Sequence, residues 1–319
     1  MTLTFESKSH GDGTAYLFPG QGAQVVGMGA ELYEHSPASR SVFHEVDKAL
    51  GRPLTEILFN GPEDEMRETI NAQPAIMAVS LACYRAMEEQ LGPKYMPHPT
   101  LLAGHSLGEY TALAIAGVLN IAETAQLVQE RGRLMQAACD QRPGVMAAII
   151  GLDQMIMEEI SRETGTYISN VNTPIQIVIS GERMAVAHAL DLATARGAKK
   201  AIPLRVAGAF HSALMEPAKS GLVDAVQNLD FKDPVIPIVA NCTGTPLTKA
   251  EDVKSELVSQ ISRCVQWKQS IDYMIGAGVS RFIELGPGKA LSSMVKRIAP
   301  SAETVSAGDM ESILRLSKN

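Results

Sequence analysis

A Gly-His-Ser-Leu-Gly pentapeptide at residues 104–108 constrains the fold of this sequence more than any other feature. The apolar residues 100–103 precede it and predict a buried strand, and residues 109–116 follow it with a helical composition. This G-x-S-x-G pattern between a strand and a helix is typical of a nucleophile elbow, a sharp turn that lifts the serine hydroxyl above a sheet. The glycines are needed because a side chain at either position would press on the neighbouring strand or helix. Backbone N–H groups at the helix start would stabilise an oxyanion beside Ser106.

Four stretches predict the strands of one larger sheet. Residues 14–18, 100–103, 235–240 and 281–285 are short, apolar and next to a glycine or a proline, as buried strands often are. Helical sequence separates them, and residues 31–95 are mostly helical. Strands that alternate with helices favour an α/β fold with a parallel sheet.

A second, smaller unit is predicted within this α/β domain. From residue 146 to residue 204 the pattern alternates as strand, helix, strand, strand, helix and strand, which is the split βαβ order of a ferredoxin-like unit. We therefore predict a large α/β-hydrolase-like domain formed by residues 14–141 and 207–300. A ferredoxin-like (βαββαβ) subdomain, residues 142–206, would be inserted in it.

Composition and spacing argue against several classes of protein. The net charge of −7 argues against a nucleic-acid binder, and no apolar run approaches the roughly 18 residues of a membrane span. Residues 1–13 lack the basic and apolar regions of a signal peptide, so we expect a cytoplasmic protein. The four cysteines form no C-x-x-C pair, and H-E-x-x-H is absent, so we predict no metal site.

A glycine-rich loop after the first strand lacks the third glycine of the dinucleotide fingerprint, because Val25 occupies that position. No cofactor is predicted.

A serine nucleophile needs a base within hydrogen-bond reach, and His211 is the best candidate. It lies where the small subdomain returns to the large domain, and a base that follows the serine agrees with the chain order of α/β-hydrolase-like folds. His105 adjoins Ser106, but the neighbour of an elbow serine usually points away from it. No acid stands out as a third member, so a dyad is open, with the imidazole oriented by a backbone carbonyl.

Arg131 is a separate signal, because it lies in the apolar stripe of a helix predicted over residues 122–138. Arg133 falls on the opposite, polar face. A guanidinium that faces the core must be paired, since an unpaired buried charge is very costly. Two partners are open: an internal Asp or Glu, or the carboxylate of a substrate.

Gln21 follows the first predicted strand, on the side where strand ends converge in open α/β sheets. Its side-chain amide or its backbone N–H could supply a second oxyanion donor beside the N–H of Leu107. Simple turn chemistry is the alternative for this residue.

Eight ordered segments together resemble one family, the malonyl-CoA:acyl carrier protein transacylases, which are the acyltransferases of fatty-acid and polyketide synthesis. The matching segments are residues 18–24, 73–75, 104–109, 130–136, 176–181, 209–212, 265–267 and 284–288. Their common order over nearly the whole chain is far more specific than any single segment.

The resemblance implies a role for each of nine residues. Ser106 would be the nucleophile and His211 its base, with Gln266 orienting His211 through its main-chain carbonyl. Gln21 and the Leu107 backbone would form the oxyanion hole. Arg131 would bind the malonyl carboxylate, Phe210 would crowd an α-methyl branch, and Gln73 and Asn172 would be further substrate-binding residues.

The implied reaction is a ping-pong transfer of malonyl from malonyl-CoA to the phosphopantetheine thiol of an acyl carrier protein, through a malonyl-Ser106 ester. The resemblance also implies a monomer. A serine thioesterase or esterase is the nearest alternative, because it would use the same elbow. A non-catalytic module that binds the carrier protein is the alternative from another class.

Overall fold

The computed structural model of this chain describes residues 13–206 and 208–316, so most of the polar N-terminal segment lies outside the described residues. The strands are β1 (Gly13–Phe18), β2 (Pro99–Gly104), β3 (Val145–Ile150), β4 (Tyr167–Thr173), β5 (Gln176–Gly181), β6 (Lys200–Pro203), β7 (Ile238–Val239), β8 (Pro246–Leu247), β9 (Val279–Leu285) and β10 (Glu303–Ala307). The helices that precede β3 in the chain are α1 (Ala30–His35), α2 (Pro37–Leu50), α3 (Leu54–Asn60), α4 (Glu63–Arg67), α5 (Thr69–Tyr95), α6 (Gly108–Ile115) and α7 (Ile121–Gln141). Those that follow are α8 (Gln154–Thr164), α9 (Arg183–Ala195), α10 (Glu216–Gln227), α11 (Ala250–Gln260), α12 (Trp267–Gly276), α13 (Ala290–Ile298) and α14 (Met310–Leu316), with a 3-10 helix at Ala213–Met215.

The larger sheet has the strand order β10-β9-β1-β2-β7-β8, and its neighbours are parallel except for the pair β7 and β8. β1 lies inside this sheet, and its residues Ala15, Tyr16, Leu17 and Phe18 are fully buried. Strands that are covered on both faces read as continuous apolar runs, which is why β1 was predictable.

The two faces of this sheet bury different sets of side chains, because successive residues of a strand point in opposite directions. Tyr16 and Phe18 join the core formed with α2, α5 and α7. Ala15 and Leu17 join a second core on the other face, where Trp267 of α12 and Leu291 of α13 pack. The predicted α/β class with a parallel sheet is confirmed.

The smaller sheet has the strand order β4-β5-β3-β6, with every neighbouring pair antiparallel. Ile149 and Ile179 of this sheet pack with Met157 of α8 and Val186 of α9, so both helices cover one face. This is the order that βαββαβ connectivity produces in a ferredoxin-like unit, as predicted.

The structure differs from the sequence prediction at the edges of the larger sheet. Of the strand predicted over residues 235–240, only Ile238–Val239 forms a strand. The Pro237 carbonyl accepts the Leu102 N–H at 3.0 Å, but proline has no N–H with which to extend the ladder. β8, β10 and α14 were not predicted. β10 is an edge strand whose half-exposed, polar sequence lacks the apolar signal of the inner strands. In the described residues, the structure has no helix with the length and apolar character of a membrane span.

The glycines of the elbow lie where no side chain fits. A Cβ on Gly108 would lie 1.9 Å from the Phe18 carbonyl oxygen of β1, and one on Gly104 would lie 1.8 Å from the Gly108 carbonyl carbon. The start of α6 therefore touches the backbone of the neighbouring strand, which holds the elbow on the sheet.

We expect Gly108→Ala to lower the free energy of unfolding by about 2–3 kcal/mol or more, because the backbone of β1 or α6 must move to admit the methyl group. Gly276→Ala is the matched control, since a Cβ at Gly276 has no atom within 4 Å. It should leave stability unchanged or raise it by up to about 1 kcal/mol. Urea denaturation of both variants measures this, and equal stabilities would contradict the steric argument.

Candidate active site

Ser106 lies in the turn between β2 and α6, with a backbone φ of 53°. This left-handed conformation is rare for a residue with a side chain, and it persists only where the surroundings hold it. Asn241 supplies part of that support, because its Oδ1 accepts the Ser106 N–H at 2.7 Å while its Nδ2 donates to the Gly104 carbonyl at 2.7 Å. The structure thus forms the predicted elbow, and Asn241, which follows β7, stabilises it with these two hydrogen bonds.

His211 is the base that the structure brings to Ser106. The Ser106 Oγ lies 2.7 Å from the His211 Nε2, and the His211 Nδ1 lies 2.8 Å from the Gln260 carbonyl oxygen. Because a carbonyl can only accept, Nδ1 carries the proton and Nε2 is free to take one from the serine. The other candidate, His105, points elsewhere: its Nε2 lies 2.9 Å from the Asn172 Oδ1.

The imidazole of His211 is held in its neutral form. Burial and, after it, the positive charge of Arg131 together lower the pKa of His211 to about 3. A histidine with so low a pKa is unprotonated at neutral pH and can act as a general base there.

The carbonyl that contacts His211 belongs to Gln260, not to Gln266 as predicted. Gln260 is the last residue of α11, where the carbonyls of the final turn have no helical partner and remain available. The Gln266 carbonyl is instead used by the first turn of α12, since it accepts the Ser270 N–H at 2.9 Å. Gln266 was assigned from the resemblance of residues 265–267 alone, and the carbonyl that contacts His211 lies six positions earlier.

Arg131 is fully buried and lies beside the nucleophile. Its Nη2 donates to the Ser106 Oγ at 3.1 Å and to the Gln260 Oε1 at 2.8 Å, and its Nη1 donates to the Gln73 Oε1 at 2.5 Å. The guanidinium carbon lies 5.1 Å from the centre of the Tyr110 ring. Within the described residues Arg131 forms no salt bridge. An internal Asp or Glu, one of its two predicted partners, therefore does not contact it. Its direct contacts are with neutral groups, and the carboxylate of Glu109 acts on its charge from beyond Gln260.

The loop after β1 lies against the elbow. A Cβ on Gly20 would come within 2.4 Å of the His105 carbonyl oxygen, so this contact requires glycine. Gln21 follows, and its Oε1 accepts a hydrogen bond from the Thr69 hydroxyl at 3.1 Å. In the described part of the chain, the backbone N–H groups of Gln21 and Leu107 donate no hydrogen bond. Both N–H groups are therefore free to donate, and their role as oxyanion donors stays a prediction.

The remaining predicted site residues lie around this centre. Gln73 is buried on α5, and its Nε2 donates to the Thr69 hydroxyl at 2.8 Å, which extends the chain of hydrogen bonds from Arg131 toward the loop after β1. Asn172 lies at the end of β4 with its oxygen on His105. Phe210 is buried next to His211 in the chain.

Sequence reasoning missed three residues that build this site: Gln260, Asn241 and Glu109. Asn241 had a readable signal, because it directly follows a predicted strand at the edge where strand ends converge. Gln260 Nε2 donates to the Ser106 carbonyl at 2.8 Å and to Glu109 Oε2 at 2.6 Å. Glu109 is fully buried, and its Oε1 accepts the Asn241 N–H at 2.9 Å. Burial and the nearby Glu256 raise the pKa of Glu109, whereas the hydrogen bonds from Asn241 and Gln260 stabilise its ionised form and act in the opposite direction.

Comparisons with known proteins agree with this geometry. The sequence profile of the family described as "Acyl transferase domain" matches residues 15–314. The malonyl CoA-acyl carrier protein transacylase of Bacillus subtilis is 40% identical over 304 residues, covering 94% of this chain and 94% of the relative.

Solved structures show the same similarity. The acyl-carrier-protein-S-malonyltransferase of Bartonella henselae superposes with a TM-score of 0.91 at 42% identity, covering 96% of this chain and 100% of that one. A malonyl-transacylase solved in complex with a type II PKS acyl-carrier protein gives a TM-score of 0.92 at 37% identity, covering 97% and 100%. The chain therefore belongs to the acyl transferase domain family.

Proposed function

We propose that this protein transfers a malonyl group from malonyl-CoA to the phosphopantetheine thiol of an acyl carrier protein, through a malonyl-Ser106 intermediate. One observation carries the substrate assignment: the buried Arg131 has no carboxylate partner in the described residues and donates a hydrogen bond to the nucleophile itself. A substrate that brings a carboxylate to this position pairs a charge which is otherwise costly to bury. The similarity to a malonyl CoA-acyl carrier protein transacylase and to an acyl-carrier-protein-S-malonyltransferase supports the same activity.

The first half-reaction begins when the Ser106 Oγ attacks the thioester carbonyl of malonyl-CoA. His211 Nε2 takes the serine proton, and the tetrahedral oxyanion forms beside the N–H groups of Leu107 and Gln21. The carbon–sulfur bond then breaks, and His211 returns the proton to the departing thiolate of coenzyme A. A malonyl-Ser106 ester and a neutral His211 remain.

The second half-reaction runs through the same groups. The phosphopantetheine thiol gives its proton to His211 and attacks the ester, and the Ser106 oxygen leaves with that proton. Neutral His211 is the form that both steps need, and its low pKa maintains it. These residues supply every proton transfer, so we propose that the protein uses no cofactor.

The acyl carrier protein is the proposed partner because a family member of 37% identity has been solved in complex with one. We further propose that the protein acts as a monomer in the cytoplasm. The four cysteines are free thiols, which suits a reducing compartment.

We expect Ser106→Ala to form no covalent adduct with malonyl-CoA and to lose activity by several orders of magnitude, because the nucleophile is gone. Intact-mass spectrometry after incubation with malonyl-CoA measures the adduct, with the unaltered protein as the positive control. Free malonate without a lasting adduct on the unaltered protein would indicate a hydrolase. An adduct of equal yield on the variant would remove Ser106 from the mechanism.

The pH dependence of kcat/KM should report the low pKa of His211. A base is lost below its pKa, so a pKa lowered to about 3 moves that loss far below neutral pH. We expect kcat/KM for malonyl-CoA to stay level between about pH 5 and pH 8, whereas an ordinary histidine would halve it near pH 6.5. A single fall centred near the ordinary histidine value would show that His211 is not the neutral base of the free enzyme.

Arg131→Ala should weaken the reaction with malonyl-CoA far more than that with acetyl-CoA, which has no carboxylate to bind. The lost charge-assisted contact should cost roughly 2–5 kcal/mol in kcat/KM for malonyl-CoA. Arg131→Lys should restore it only in part, because an ammonium lacks the two-pronged geometry. Arg133→Ala is the matched control, since Arg133 is exposed on the same helix and pairs with Glu130. An unchanged malonyl-to-acetyl ratio in Arg131→Ala would overturn the substrate assignment.

A further inference from the structure

Three functional groups of the site meet on Gln260. Its side-chain Oε1 accepts the Arg131 Nη2 at 2.8 Å, and its Nε2 donates to the Ser106 carbonyl at 2.8 Å and to the Glu109 Oε2 at 2.6 Å. Its main-chain carbonyl accepts the His211 Nδ1 at 2.8 Å. One residue therefore contacts the guanidinium, the backbone of the nucleophile and the base.

The side-chain amide of Gln260 has only one orientation that satisfies these neighbours. Arg131 can only donate hydrogen bonds, whereas a carboxylate and a carbonyl only accept them. A half turn of the amide would place its NH2 group against the Arg131 Nη2. The same turn would place its oxygen against the oxygens of Ser106 and Glu109. Glu109 supplies one of the two acceptors that hold the NH2 end of Gln260 in place.

We infer that Glu109 is a positioning residue, which fixes the orientation of Gln260 and thereby holds the Arg131 guanidinium toward the carboxylate of the substrate. This inference rests on the proposed function. Glu109 acts through Gln260, because its own hydrogen bonds, among the residues that the structure describes, come from the Asn241 N–H and the Gln260 NH2 group.

The position requires two acceptors, which a carboxylate provides and an amide does not. In Glu109→Gln one end of the side chain becomes a donor, and it must face either the Asn241 N–H or the Gln260 NH2. The Asn241 N–H belongs to the backbone and cannot turn, so we expect the remaining oxygen to face it. The introduced NH2 then opposes the Gln260 NH2, and these two donors push the side chain of Gln260 away from its place.

A displaced Gln260 affects the two substrates differently. Its Oε1 would move away from the Arg131 Nη2, and the guanidinium would lose a contact that holds it beside Ser106. The hydrogen bond from His211 would survive, because it uses the main chain of Gln260. Transfer of a group without a carboxylate should therefore suffer less than transfer of malonyl.

The experiment compares kcat/KM for malonyl-CoA and acetyl-CoA in folded variants. We expect E109Q to lower the malonyl-to-acetyl ratio about tenfold, a coupling of the size found between residues of one hydrogen-bond network. In an Arg131→Ala background the same change should alter the ratio by less than about twofold, because the group it displaces is already absent. This double-mutant cycle separates positioning of Arg131 from general damage to the core.

Glu256→Gln is the matched control. Glu256 is also a buried carboxylate, only 6% exposed, and it accepts the Cys242 N–H at 2.8 Å rather than a bond from Gln260. E256Q should keep the malonyl-to-acetyl ratio of the unaltered protein. If E109Q does not fold, E109D keeps the charge but shortens the reach to Gln260, and it should lower the ratio in the same direction.

The outcomes distinguish this inference from the proposed function. Unaltered protein that forms no malonyl adduct would overturn the proposed function, and this inference with it. If the adduct forms, the inference is overturned in three cases: an unchanged ratio in folded E109Q or E109D, an equal fall of the ratio in E256Q, or an undiminished effect of E109Q in the Arg131→Ala background.

Discussion

The left-handed backbone of Ser106 is the constraint on which the rest of the site depends. A residue with a side chain loses about 1 kcal/mol or more in this conformation, so its neighbours must hold it. Glycines at 104 and 108 give the room, and the Asn241 side chain gives the hydrogen bonds. The same turn places Ser106 at the start of α6 and at the ends of the central strands. The base and the guanidinium both contact the serine hydroxyl that this turn presents.

Local pattern predicted those parts of the site that depend on local structure. The elbow was readable because two glycines and their flanking strand and helix lie within a short stretch of chain, and Arg131 was readable because helical spacing placed it in an apolar stripe. The Gln260 carbonyl that contacts His211 was not readable from the sequence. It depends on the residue at which α11 ends, and helix ends are poorly marked in sequence. The pairing of Gln260 with Glu109 spans 151 positions and leaves no local signal. The edge strand β10 was missed because exposure removes the apolar pattern on which prediction relies. β8 was missed because two residues are too few to show a pattern.

The small subdomain is tied to the catalytic domain at more than its two ends. β4 forms a parallel bridge to the segment between α11 and α12, where the Val171 N–H donates to the Val265 carbonyl at 2.9 Å and the Val265 N–H to the Ser169 carbonyl at 2.8 Å. Asn172, at the end of β4, reaches the elbow through His105. The inserted unit therefore contacts the turn that carries Ser106 and the segment that follows Gln260, so its packing bears on both.

The burial of Arg131 has a consequence for how the protein balances robustness against activity. Removing a cation from water without pairing it with an anion is an electrostatic liability, and apolar residues of similar volume often replace buried charges with a gain in stability. Selection for robustness alone would remove such an arginine, whereas selection for activity keeps it. The liability falls on the unliganded protein, and an incoming carboxylate relieves it. Part of the attraction between enzyme and substrate is therefore already present in the folded chain. The Arg131 guanidinium is buried, and no carboxylate of the described residues contacts it directly before the substrate brings one.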